Sequence, residues 1–310
     1  MTQSPGLGST GQRAVPAEWN RIGYGTAHGH HGELLQGVFL DRDRLHRGLV
    51  TMPCPLFSSQ VEAHLTTATR ELIVEPRWKT KALRAAETTM RAIGCGPLGG
   101  TLKITSNVEV GFGFGSSTSD VTAAIRAVLN ALACTLTAAQ VARISVLAEV
   151  AVDPLMYDQM VLFAHREGRV IEDFNVPMCP FEAVGFALRP EPVDTLELTP
   201  ARYRPSQIQR LALLRALARK AIVDGDISGI GRIATASAVI NQEFLPAPIF
   251  PKLLEVIQET GAAGIQVAHS GSIASILFDS DNPHFESGVN QAERHLSRLG
   301  VGELWRFGQR

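Results

Sequence analysis

Cysteine is scarce in this chain: four residues in 310, at Cys54, Cys95, Cys134 and Cys179, widely spaced and without a C-x-x-C pair. That spacing excludes a zinc knuckle and offers no disulfide framework. Reduced, structural thiols are expected, with Cys134 buried near a helix end as a small apolar residue. An excess of charge of either sign is also missing. Twenty-nine basic and thirty acidic residues leave a net charge of −1, which supplies no general attraction to nucleic acid or to an anionic membrane. The expected partner is therefore a small molecule. No apolar run has the length needed to span a bilayer, and Met1 to Gly11 is polar, without the apolar core of a signal peptide. The reading is a cytoplasmic protein with a loose tail over residues 1–18.

What is present suits a folded protein of one large or two ordinary domains, with 45% hydrophobic and 19% charged residues. Two domains are expected, 19–180 and 181–310, because Arg189 to Pro200 is proline-rich and interrupts regular structure. Helical spacing is found over Lys79–Ile93, from Thr137 to about Val150, and over Gln207–Asp224, Ile227–Gln242 and Phe250–Thr260. The segment from Arg21, dense in glycine and histidine, reads as a loop feeding a strand at Val38-Phe39-Leu40. Ile265 to Phe278 reads as two strands around a small-residue turn.

Residues 111–119 read Gly-Phe-Gly-Phe-Gly-Ser-Ser-Thr-Ser, between a period-2 segment at Thr101–Thr105 and a helical one beginning near Val121. Strand, glycine-rich turn and helix start thus follow one another. Glycines let the backbone approach an anion, and the free N–H groups and dipole of a first helical turn favour negative charge. Phosphate is the implied ligand, with Gly111, Gly113, Gly115, Ser116, Ser117 and Thr118 as its contacts. The loop lacks the lysine of the common P-loop, and its G-x-G-x-G spacing is not the dinucleotide pattern. The plainer alternative is a glycine turn with a Ser/Thr helix cap.

Carboxylates follow at Glu149, Asp153 and Asp158. Pro154 disfavours an α conformation at Asp153, which places that residue on a loop after the helix. Phosphoryl transfer needs a carboxylate to hold magnesium and a group to position the attacking hydroxyl. Glu149 suits the first role and Asp153 the second, with Asp158 competing; two solvated carboxylates at a helix end are the alternative. His28, His30 and His31 with Glu33 form the one cluster resembling a zinc site. Neighbouring histidines of an extended segment point apart, and contact with substrate is the favoured reading, with Glu33 meeting an ammonium group and Gln36 a carboxylate or hydroxyl.

Several segments together resemble the GHMP kinases, and within them the L-threonine kinases of cobalamin side-chain synthesis. These are Gly32-Glu33-Leu34-Leu35-Gln36-Gly37, Gly111 to Asp120, Val193-Asp194-Thr195-Leu196 and Gln266-Val267-Ala268-His269-Ser270-Gly271, in the same order. The histidines before Gly32 stand where that family has a small or cysteine-containing segment. The resemblance implies an α+β, two-domain GHMP kinase fold: an N-terminal domain like ribosomal protein S5 domain 2 and a ferredoxin-like C-terminal domain, with ATP and Mg2+ in the cleft. It implies triphosphate on the glycine loop, Ser117 and Glu149 on magnesium, and Asp153 or Asp158 in catalysis. His31, Glu33, Gln36, His269 and Ser270 would face the acceptor, a hydroxy amino acid such as L-threonine. A kinase for another small alcohol, homoserine or a sugar, and a nucleotide-binding protein without transfer are the alternatives; a homodimer is left open.

Overall fold

The computed structural model describes residues 18–109, 111–189 and 200–309. The expected tail, apart from Glu18, and the Val193–Leu196 segment lie outside them. The glycine- and histidine-rich segment is a strand, not a loop. β1 (Asn20–Asp41) pairs antiparallel with β2 (Arg44–Thr66) along nearly its whole length, with register shifts at His28/Gly29, His30/Glu33 and Glu33/Leu35. Its period of two is concealed because the first inward positions are Gly23, Gly25 and Ala27 rather than large apolar residues.

A helix explains those small residues. α2 (Ser116–Ala131) lies directly on β1: a Cβ on Gly23 would sit 2.3 Å from the Ala127 carbonyl and the Ala131 nitrogen, and one on Gly25 2.1 Å from the Ala123 carbonyl. Ala123, Ala127 and Ala131 are spaced four apart and share one helix face. Glycine on the strand and alanine on the helix permit the contact that fixes where α2 begins, and hence where the glycine loop sits.

β3 (Leu72–Glu75), α1 (Thr80–Ala92) and β4 (Gly99–Ser106) complete the first half of the sheet, and α3 (Ala138–Glu149) follows α2. Thr137 caps α3 in a reciprocal box: its hydroxyl accepts the Gln140 N–H at 3.3 Å and its own N–H donates to the Gln140 side chain at 2.9 Å. Cys134 falls in the turn after α2 and is exposed, contrary to the expectation of burial. β5 (Val161–Ala164) and β6 (Arg169–Asp173) form a hairpin against β2. The chain continues through β7 (Phe181–Ala187), α4 (Pro205–Asp224), α5 (Ile227–Gln242), α6 (Phe250–Thr260), β8 (Gly264–Val267), β9 (Ile273–Phe278), α7 (Phe285–Arg298) and β10 (Leu304–Gln309).

The sheet order is β10-β7-β9-β8-β1-β2-β4-β3, antiparallel except between β3 and β4. Glu33 pairs with Val267 and joins the two halves. One core, with Val61, Leu102 and Ala124, belongs to the first half; another, with Val184, Ile265 and Leu296, to the second. A third crosses between them, with Leu35 and Met52 packed among Ile222, Ile230 and Phe307. Among the described residues no helix is long and apolar enough to cross a membrane.

Candidate active site

Gly111, Gly113 and Gly115 all adopt positive φ, at 84°, 83° and 71°, conformations that L side chains rarely adopt. This alternation turns successive backbone groups toward one side, which makes a concavity suited to anions, and the loop leads into the N-terminus of α2. The loop is pinned from three directions. The His30 N–H donates to the Phe114 carbonyl at 3.1 Å, Ser116 Oγ to the Val108 carbonyl at 3.2 Å, and Ser272 Oγ to the Phe112 carbonyl at 2.9 Å.

The same loop opens into a cleft whose walls carry His30, Lys81, Ser117, Thr118, Glu149 and Asp153. Thr118 Oγ1 donates to Glu149 Oε1 at 2.8 Å and accepts the Asp153 N–H at 3.3 Å, so one hydroxyl ties the helix start to both acidic residues. Ser117 also hydrogen-bonds Glu149, and Lys81 Nζ stands 3.9 Å from it. Burial pushes the Glu149 carboxyl up to about 7, against the opposing pull of Ser117, Thr118 and Lys81. A buried carboxylate this poorly compensated, beside a serine hydroxyl, is the donor set a hard divalent cation takes. The residues present fit magnesium.

Asp153 stands near the same Thr118 hydroxyl as Glu149, with its Oδ2 at 3.0 Å from His30 Nε2. Burial works to raise its pKa, but the charge and hydrogen bond of His30, aided by His269 and His165, hold it well below the usual carboxylate range. His30 moves the opposite way. Burial works to lower it, yet Asp153, Glu33 and the Gly32 carbonyl lift it to about 9. The pair is thus a buried imidazolium and carboxylate. Gly115 is required beside it, because a Cβ there would sit 2.4 Å from His30 Cδ2 and 3.2 Å from Asp153 Oδ2.

Other residues singled out in the sequence fall in different places. Asp158 is exposed and lines a separate cavity with His28, Arg126 and Tyr157, which shares His30 with the cleft. His31 is fully buried on the opposite face of β1, stacked on Phe307 at 4.5 Å between centroids and edge-on to Phe114. It does not face the cleft, and the three histidines do not converge on a zinc ion. His30, Glu33 and Asp153 do place ligand atoms within 4.8 Å of one another. Their pairings with one another and with His269 already occupy them.

Glu33 is buried with both oxygens engaged: Oε2 accepts the His269 N–H at 2.5 Å and Oε1 meets His269 Nδ1 at 2.9 Å. It fastens β1 to the β8–β9 turn, and His269 is what reaches the cleft. Ser270 is buried too, with its Oγ 2.5 Å from Ser272 Oγ, beneath the glycine loop. It supports the loop from below. Gln36 donates its side-chain N–H to the Val267 carbonyl at 2.9 Å and lines a second cavity, which joins the cleft at His165 and His269.

Three contributors had no local signal. His30 was visible only as one member of a histidine run; Lys81 opens α1; His165 arrives from the β5–β6 turn. Near Lys81, the buried Lys79 ammonium pairs with Asp120, whose other oxygen accepts from Ser59 Oγ at 2.6 Å, and this locks α1 to the start of α2.

A sheet flanked by helices, a lysine-free glycine loop and paired carboxylates define a class. Residues 80–160 match the GHMP kinases N terminal domain. The chain is similar to the L-threonine kinase of Salmonella typhimurium, 29% identical over 190 residues, covering 57% of this chain and 59% of that enzyme. The chain therefore spans less than two thirds of that relative. It is also similar to the L-threonine kinase of Citrobacter freundii, 27% identical over 225 residues, covering 65% and 73%. The homoserine kinase of Cytophaga hutchinsonii shares the fold with a TM-score of 0.68 at 13% identity, over 97% of both chains.

Proposed function

We propose that the chain is an ATP-dependent kinase that transfers the γ-phosphate to the side-chain hydroxyl of L-threonine or a related hydroxy amino acid, giving the O-phospho amino acid and ADP. The observation that carries this reading is the Asp153 carboxylate, held ionised by His30, in the same cleft as three positive-φ glycines at a helix N-terminus. The likeness to L-threonine kinases supports the choice of acceptor.

Transfer of a phosphoryl group is mostly a matter of position and charge. The loop amides and the first turn of α2 bind the triphosphate and direct its terminal phosphorus toward Asp153. Ser117 and Glu149 would hold magnesium, which supplies neutralising charge to the phosphate oxygens. Asp153 accepts the hydrogen bond of the acceptor hydroxyl and aligns its oxygen with the phosphorus. With its pKa depressed, Asp153 is a weak base, so it orients the hydroxyl first and takes its proton late, as the O–P bond forms and the bond to ADP breaks. His30 fixes the carboxylate geometry and Thr118 fixes its backbone.

A coupled assay of ADP release with L-threonine, L-serine, L-homoserine and a hexose tests the reading. ADP release with one of the three hydroxy amino acids is expected. ATP binding without ADP release for any of them overturns the transfer, and release with the hexose alone overturns the acceptor class.

A further inference from the structure

We infer that the second cavity, beside the cleft, is a carboxylate-binding subsite in which Arg47 and Arg166 grip the acid end of the acceptor. This rests on the kinase reading for its biological meaning, though not for its chemistry. The cavity lies between β1, β2, the β5–β6 turn and α5, and meets the cleft at His165 and His269. Among the described residues its lining carries two guanidinium groups and no carboxylate. The acids that meet its neighbours His269 and His30 are committed to them, Glu33 to His269 and Asp153 to His30. An ammonium group would find no carboxylate here among the described residues; a carboxylate would find two guanidinium groups.

The wall is organised for such a ligand. Arg47 donates one N–H to the Ala201 carbonyl at 2.7 Å, which anchors the planar group against the wall. It makes no other hydrogen bond to a described residue, so the remaining fork is available for the two-pronged contact guanidinium makes with carboxylate. Arg166 enters from the β5–β6 turn and is exposed. Asn241, only 6% exposed, lines the cavity with a buried Nδ2 that has no partner among the described residues. Buried donors are nearly always satisfied, and this one lies behind the cavity wall rather than on it, so the contacts offered to a ligand there are those of the two guanidinium groups. His165 at the junction is held neutral, lowered to about 4 by burial and by His269, and contributes no competing charge. An acceptor thus lies with its hydroxyl at Asp153 and its acid group between Arg47 and Arg166.

The test compares L-threonine and L-homoserine with their primary amides, which keep the hydroxyl and remove the charge. Calorimetric binding in the presence of a non-hydrolysable ATP analogue should favour at least one acid over its amide by about tenfold or more, the usual scale of a charge-assisted contact. Arg166→Gln, at an exposed position that leaves the fold intact, should erase most of that preference, and Arg47→Gln likewise. Affinity for the amides and for the nucleotide analogue should stay unchanged. Equal binding of acid and amide, equal weakening of both in the variants, or no binding of either acid overturns the inference. Acid preference without ADP release would overturn the kinase reading alone; ADP release indifferent to the carboxylate would overturn this subsite alone.

Discussion

His30 and His31 are neighbours on β1, both buried, yet one is charged and the other neutral. His30, on the cleft face, has a carboxylate 3.0 Å from its Nε2 and is raised to about 9. His31, on the core face, lies among Phe114, Trp305 and Phe307, and burial lowers it to about 3, with the charge on His30 adding to the effect. Desolvation acts on both in the same sense. What separates them is one partner, because an opposite charge at hydrogen-bond distance outweighs the loss of water, while an aromatic cage does not. Alternation along the strand sends the two rings to opposite faces, and the register shift between His30 and Glu33 follows where the strand changes from lining the glycine loop to joining β8.

Removing the partner should have the largest effect. Asp153→Asn keeps the size of the side chain and a hydrogen bond to His30, yet loses the anion that orients the acceptor hydroxyl. Turnover should fall by about two orders of magnitude or more, the scale of a general-base contribution, while affinity for ATP changes little. His30 should then titrate nearer its ordinary range, which proton NMR of the imidazole would read. Unchanged turnover would move the orienting role away from Asp153.

His30→Gln should cost less, about tenfold in kcat, since the amide still donates to Asp153 but carries no charge. The sign of the pH effect follows from the raised pKa. The contribution of the His30–Asp153 pair is complete below about 6.5 and is lost as pH rises through about 9. The wild-type rate should therefore decline across that upper window, and the variant should lack the decline. An identical alkaline limb in both proteins would assign the titration to another group.

The same contrast explains which parts of the molecule could be read in the sequence. α5 and α6 stand over the residues their spacing indicated, Ile227–Gln242 and Phe250–Thr260, and α6 carries its own stop signal in Gly261. β5, β6 and β10 span four to six residues each, too short to show a period. The first part of β1 reads as a loop in the sequence because Gly23 and Gly25 hide its inward face beneath α2. In the cleft, the glycine loop, Glu149 and Asp153 were legible because each sits at a helix end with a local signature. The His30–Asp153 pair joins residues 123 positions apart in the chain, and Arg47 and Asn241 meet across a cavity, so neither is encoded in any window of neighbours.

The smallest effect on turnover is expected on the other side of the strand. His31→Leu removes the stacked ring and the Nδ1 that lies 2.5 Å from Gln266 Nε2, and leaves that amide with Ser275 Oγ at 3.0 Å as its remaining partner. It also removes an Nε2 that has no partner in the core. The lost ring contact and the half-satisfied amide outweigh that relief, so stability should fall by about 2 kcal/mol, within the range for a core truncation or an orphaned buried donor. The denaturant midpoint would show it. Because His31 meets the cleft wall only through the edge of the Phe114 ring and has no hydrogen bond to Asp153, kcat and its alkaline limb should stay close to the wild type. A His31 variant that folds normally but loses turnover as His30→Gln does would mean that the two faces of β1 are coupled, and that the partner at 3.0 Å is not what distinguishes the two histidines.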